Sequence, residues 1–132
     1  WLEKELQNAF AKDPSKRFGG WFVRYNGMEV NFTIGNEFGK RVNSVKVGGE
    51  PIDMTKEYSI VACEREGDPD DTLCRIEHVK NPKKSPLLMH DVIIEYLKDH
   101  SPVAPKLEGR AIATDEPQTL LTQLKGTSYE FR

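Results

Sequence analysis

Long apolar runs are missing from this 132-residue chain. None approaches the ~18 consecutive apolar residues of a membrane-spanning helix, so no span is expected. Cysteine is scarce, with Cys63 and Cys74 as the two present. Without further thiolates, and without Cys-x-x-Cys spacing, zinc-site and thioredoxin-like readings fail. The histidines, His78, His90 and His100, have no metal-ligand spacing. A Gly-x-Ser-x-Gly elbow, a phosphate-cradling glycine loop and a His-Glu-x-x-His helix are absent too. Catalysis contained wholly within this chain is therefore not expected. Charge of one sign is also lacking: 19 basic and 21 acidic residues leave −2. No global field recruits nucleic acid or an anionic membrane surface. There is no internal repeat and no low-complexity segment. Neither an initiator Met nor a secretory signal is present, and the chain starts at Trp1 inside a helical pattern, so a fragment of a longer protein is expected.

What is present, 37% hydrophobic and 30% charged residues, suits one folded domain with a single core. Trp1, Leu2, Leu6, Ala9 and Phe10 recur at helical spacing and predict an amphipathic helix that Asp13-Pro14 ends. Trp21 to Tyr25 reads as an aromatic strand, with Asn26-Gly27 as a hairpin turn into Met28 to Ile34. There Met28, Val30 and Phe32 share one face. Arg41 to Val47 forms the next strand and Gly48-Gly49 ends it. Tyr58 to Cys63, alternating and rich in β-branched residues, predicts a central buried strand. Ile76 to Val79 reads as a brief strand. Pro86 stands where a helix opens, with Leu88, Val92, Ile93, Tyr96 and Leu97 as its apolar stripe. His90 and His100 flank that helix and read as surface or capping residues. Pro102 and Pro105 stop it, and Leu107 to Ala113 supplies a last strand. Thr114-Asp115-Glu116-Pro117 opens a short terminal helix. The expected architecture is α+β: a mixed or antiparallel sheet of about four to five strands with helices packed on it. Residues 1–113 form the domain and 114–132 a short helix and tail.

Two regions could bind a ligand. Trp21 and Phe22, with Arg24 and Asn26 following, could stack a planar ring, worth about 1–3 kcal/mol per base, and supply donors. The plain alternative is that alternate aromatics pack the core. The strand ending at Cys63 releases Glu64-Arg65-Glu66 into Gly67-Asp68-Pro69-Asp70-Asp71, a rim of alternating charge on turn-forming backbone. Arg65 and Arg75 could grip an anion, or form surface ion pairs of little worth. In an oxidising compartment a Cys63–Cys74 disulfide would pin this loop at its base, worth roughly 2–3 kcal/mol in the chain-entropy model. In a reducing compartment both remain ordinary thiols.

The order of these pieces is familiar. Phe18-Gly19-Gly20-Trp21-Phe22 with Asn26-Gly27 comes first, then Val45-Lys46-Val47-Gly48-Gly49-Glu50-Pro51-Ile52-Asp53, then Tyr58-Ser59-Ile60-Val61-Ala62. Together with the helix from Asp91 to Leu97 and Leu107-Glu108-Gly109-Arg110, they resemble the C-terminal domain of the 5′-nucleotidase and 2′,3′-cyclic phosphodiesterase family. The resemblance runs over residues 1–113. It implies a substrate-recognition domain whose partner is its own N-terminal metallophosphoesterase domain, which holds two divalent metal ions and the catalytic groups. No catalytic residue, metal or cofactor is then expected in the present chain. A periplasmic or secreted location is also implied.

In that family two aromatics sandwich the nucleobase, an acid meets the ribose and arginines meet the phosphates. By position Phe22 matches the first aromatic. The second belongs to an Asn-Phe pair followed by Gly-Gly-Asp-Gly, but here those places read Glu64-Arg65 and Gly67-Asp68-Pro69. Arg65 thus replaces a ring, and Asp68 keeps the acid's place. The departure is similar to divergent bacterial members near the sulfur-oxidising thiosulfohydrolases. The expected binding set is Trp21, Phe22, Arg24, Asn26, Glu64, Arg65 and Asp68, for a nucleotide-like or other small anionic substrate. The alternatives are a non-catalytic ligand-binding or protein-docking module, or the specificity domain of a hydrolase acting on a non-nucleotide sulfur or phosphate ester.

Overall fold

The computed structural model describes residues 1–17 and 23–115. It divides into two compact units: one runs from Leu2 to Met54 and resumes at Gly109, and the other holds Thr55–Glu108. Among the described residues the architecture is α+β, with two α-helices and a four-stranded mixed open sheet.

The first unit contains the core. Helix α1 (Leu2–Phe10) is amphipathic, with Leu6 fully buried. Strand β1 (Met28–Phe32) alternates as its sequence requires, with Val30 and Phe32 buried and Glu29 exposed. It pairs antiparallel with β2 (Val42–Val47), and a bulge falls between Asn31 and Phe32. Strand β3 (Glu50–Pro51) returns antiparallel to β2, and β4 (Ala111–Ala113) lies parallel to β1, giving the order β3-β2-β1-β4. Leu6, Val30 and Phe32 form the core, lined by Leu2, Phe10, Val42 and Val45. Phe10 and Phe32 stack with ring centroids 6.3 Å apart. Such a cluster, with apolar area buried at about 25 cal/mol per Å², holds helix to sheet. The other sheet face is polar: Asn31 Nδ2 donates to Ser44 Oγ at 3.1 Å and Asn43 Nδ2 to Thr33 Oγ1 at 2.9 Å.

Long-range polar bonds fasten the ends of these elements. Both oxygens of Glu3 accept from backbone, from Val42 N–H at 2.7 Å and Gly39 N–H at 2.8 Å. Arg41 is buried and spends its guanidinium internally, on Gln7 Oε1 (2.5 Å), Ile34 O (3.2 Å) and Phe10 O (3.4 Å). A carbonyl at the α1 C-terminus is thereby satisfied by a cation, which the helix dipole also favours. Asp115 accepts from Ile34 N–H at 2.6 Å and Gly35 N–H at 2.7 Å, closing the end of β4 onto the β1–β2 turn.

Three strand expectations are corrected. Trp21 and Phe22 lie outside the described residues, and Val23 to Tyr25 forms no strand. Asn26-Gly27 is consequently not a hairpin turn; Asn26 Oδ1 accepts from Gly27 N–H and the segment leads into β1. The two-residue hairpin is Gly48-Gly49, where both residues take positive φ, 61° and 88°, and Val47 pairs with Glu50. Tyr58 to Cys63 also forms no strand, and Val61 is fully exposed. Ile76 to Val79 reduces to one bridge between Leu73 and Ile76.

The second unit carries α2 (Met89–His100), three residues beyond Pro86, with no side-chain cap at Leu88. Its apolar stripe is present but exposed: Val92, Ile93, Tyr96 and Leu97 are 42–52% accessible. His100 stacks on Tyr96 and bonds its carbonyl at 2.9 Å, a C-terminal capping contact. No described helix is long and apolar enough to cross a membrane.

Candidate functional site

The charged loop expected to bind substrate lies in the second unit. Its turns are held by backbone bonds, Asp68 N–H to Arg65 O at 3.1 Å and Thr72 N–H to Pro69 O at 2.9 Å. Glu64 is engaged by Lys84 at 2.8 Å, which ties the loop's first residue to the basic connector before α2 and raises the Lys84 pKa through that bond and its charge. Arg65 is exposed and forms no ion pair among the described residues, leaving its planar fork available. Asp68 is half-buried, and its Oδ2 is shielded from water with no hydrogen-bond donor among the described residues. A shielded, unpartnered carboxylate oxygen is unfavourable, and a ligand hydroxyl or amine would satisfy it.

The loop closes on an unusual turn. Leu73 and Ile76 exchange backbone bonds of 3.0 and 2.9 Å around Cys74-Arg75, whose φ angles are 49° and 66°. Two left-handed central residues make a turn that normally selects Asn-Gly. Cys and Arg there cost about 1–2 kcal/mol each through Cβ crowding. His78, at φ 62°, lies 3.4 Å from Asp71, and Val79 N–H donates to Asp71 O at 2.8 Å. Outlying backbone of this kind concentrates at functional loops. Sequence reading had no signal for it, because neither Cys nor Arg marks such a turn.

The remaining expected residues are in the first unit or undescribed. Trp21 and Phe22 fall outside the described residues. Arg24 and Asn26 are exposed. Tyr25 is a core-edge residue: its hydroxyl donates to Arg110 O at 3.2 Å, and Arg110 donates back to the Tyr25 carbonyl. Burial pushes the Tyr25 phenol up, against the opposing Arg110 charge. The same unit has an open groove of about 320 Å³ lined by Gln7, Lys12, Lys16, Glu37, Phe38 and Arg41. Charges of both signs line it, and Arg41 is already committed to the fold. Among the described residues no group of three or more His, Cys, Asp or Glu side chains is placed to hold a metal ion. Cys63 and Cys74 are unbridged.

Residues 1–64 match the family model for the 5′-nucleotidase C-terminal domain, so the resemblance to that family is shown over α1, β1 to β3 and the chain up to Glu64. The match ends at Glu64, the first residue of the charged loop. Among known proteins, the chain is similar to Protein 5NUC of Lutzomyia longipalpis, 26% identical over 117 residues, which covers 83% of this chain and 20% of that protein. The chain therefore spans about a fifth of the length of the curated relative it matches.

Proposed function

We propose that this chain is the substrate-recognition part of a two-domain, metal-dependent 5′-nucleotidase-like phosphoesterase, a hydrolase of the periplasm or of the secreted fraction. The match of residues 1–64 to the family's C-terminal domain carries the reading. The two divalent ions and the catalytic groups belong to an N-terminal partner domain. Among the described residues no group of His, Cys, Asp or Glu side chains fits such a centre. Phe22 and Trp21 hold the organic part of the substrate, while Arg24 and Arg65 meet its anionic groups. Asn26 donates, Glu64 fixes the loop through Lys84, and Asp68 receives a substrate hydroxyl. The shielded Asp68 Oδ2 supports that last role. With Arg65 in place of a ring, one stacking face becomes a guanidinium plane, which suits a small anionic phosphoester as well as a nucleotide.

Hydrolysis by the full-length parent, with divalent metal, across nucleotides, cyclic nucleotides, sugar nucleotides and thiosulfate adducts tests this. Turnover by the parent and none by the 132-residue chain alone is expected. Activity in the isolated chain would overturn the proposal. Arg65→Ala in the parent should lower kcat/KM by more than about tenfold, as loss of a charge-assisted contact requires. Unchanged kinetics would remove Arg65 from the site.

The exposed α2 stripe favours a second reading, a non-catalytic module that docks against another domain of its parent. Asp-x-His and Gly-Asn-His-Glu metal motifs upstream in the parent reading frame decide for the enzyme, and their absence for the module.

A further inference from the structure

We propose that Cys63 and Cys74 are a reversible dithiol–disulfide pair that clamps the base of the loop carrying Arg65 and Asp68. Three observations converge on it. Cys74 N–H donates to Cys63 O at 3.1 Å, so the two backbones already meet across the loop. A backbone bond of this length sets the two residues side by side across the loop, the placement a disulfide needs. Next, Cys74 and Arg75 both hold left-handed backbone that their side chains disfavour, and such a conformation persists where something over-determines it. The Leu73–Ile76 bridge holds that backbone while the thiols are unbridged, and a link at Cys74 would reinforce a conformation already present. Finally, both thiols are within reach of a redox partner: Cys63 is exposed and Cys74 partly so. In the reduced form Cys63 Sγ rests 3.5 Å from Met89 Sδ.

The chemistry is thiol–disulfide exchange with a disulfide such as glutathione disulfide as oxidant. The Cys63 thiolate attacks one sulfur of that disulfide, forming a mixed disulfide and releasing one glutathione thiolate. The Cys74 thiolate then attacks Cys63 Sγ and displaces the second glutathione. Two electrons pass to the glutathione pair, and the two cysteine protons leave to solvent or to the departing thiolates. Reduction runs the same steps backwards. The link leaves loop composition unchanged and narrows the positions open to Arg65 and Asp68. Its consequence for substrate rests on the proposed function, in which that loop belongs to the substrate site.

The chain is equilibrated in glutathione buffers from fully reduced to fully oxidised, quenched with N-ethylmaleimide and weighed intact. The expected oxidised product carries no maleimide and yields one cross-linked peptide joining Cys63 to Cys74. Alkylation of both thiols at the oxidised end, or stable glutathione adducts on each without a cross-link, overturns the pair. In the full-length parent, oxidation should lower KM several-fold, with Cys74→Ser abolishing the response. A cross-link that leaves KM unchanged overturns the clamp's effect on the loop. Should Arg65→Ala then also leave kinetics unchanged, the substrate-site reading falls while the cross-link stands.

Discussion

The two units of this chain bury their apolar residues very differently. In the first, α1 lies on β1 and β2, and Leu6, Val30 and Phe32 are at most 6% accessible. In the second, Thr55–Glu108, no described residue is buried, although Ile60, Val61, Val92, Ile93 and Leu97 are as apolar as the core residues. Apolar pattern alone therefore does not make a core. The first unit adds paired strands to its pattern, and Glu3, Arg41 and Asp115 lock their ends. The second has one helix, one bridge and a loop held by turns. Local stability should follow this split, with the loop drawn from the weaker side, as binding loops commonly are.

The sharpest way to break the contrast is to delete matched side chains. Leu6→Ala should destabilise the protein by about 2–5 kcal/mol, because it leaves a cavity between α1 and the sheet. Leu97→Ala, on the exposed stripe, should cost well under about 1 kcal/mol. Urea unfolding of both variants checks this, and equal losses would mean that α2 is as firmly packed as α1. Arg41→Ala comes next. It strips donors from Gln7 Oε1, Phe10 O and Ile34 O, and a buried acceptor left bare costs about 1–3 kcal/mol. A loss indistinguishable from that of an exposed Arg→Ala change would show that water replaces the guanidinium freely.

Much of the first unit was legible in its residues. Helical spacing placed α1, alternation placed β1 with Val30 and Phe32 inward, and Gly48-Gly49 marked the end of β2. Each is a local signal read within a few residues. Tyr58 to Cys63 misled because alternation specifies which side chains share a face, not whether a partner strand is present to take the backbone bonds. The Asp115 contact with Gly35 spans 80 positions and has no periodicity to betray it. Its alternating charges mark the loop in the sequence, and the family resemblance implies a role for it. Its strained Cys74-Arg75 turn was invisible because φ is not written in residue type.

Asp115 offers a smaller test, one that reads as pH dependence. Partial burial pushes its carboxyl up, but the Gly35 and Ile34 N–H donors outweigh this and leave the pKa below the ordinary 3.8. A carboxylate depressed in the folded state stabilises fully above its unfolded pKa and loses that contribution as pH falls through the folded value. Wild-type protein should therefore lose stability below about pH 4 relative to Asp115→Asn, while near neutrality the variant should be weaker by about 1 kcal/mol, as for a lost cap. Parallel pH profiles would show that the two backbone bonds do not depend on charge.

The least effect is expected from the Glu57–Lys80 pair of the second unit. Each partner shifts the other toward its charged form through hydrogen bond and charge, Glu57 down and Lys80 up. Yet both side chains are about three-quarters exposed, so water and salt screen the attraction, and ordering two long side chains opposes it. Lys80→Ala should leave the unfolding midpoint unchanged at 0.15 M salt. A measurable drop would mean that this unit, which buries no described side chain, relies on surface ion pairs for its structure. In that event Lys84→Ala, which frees Glu64 at the start of the loop, should weaken substrate binding as well as stability.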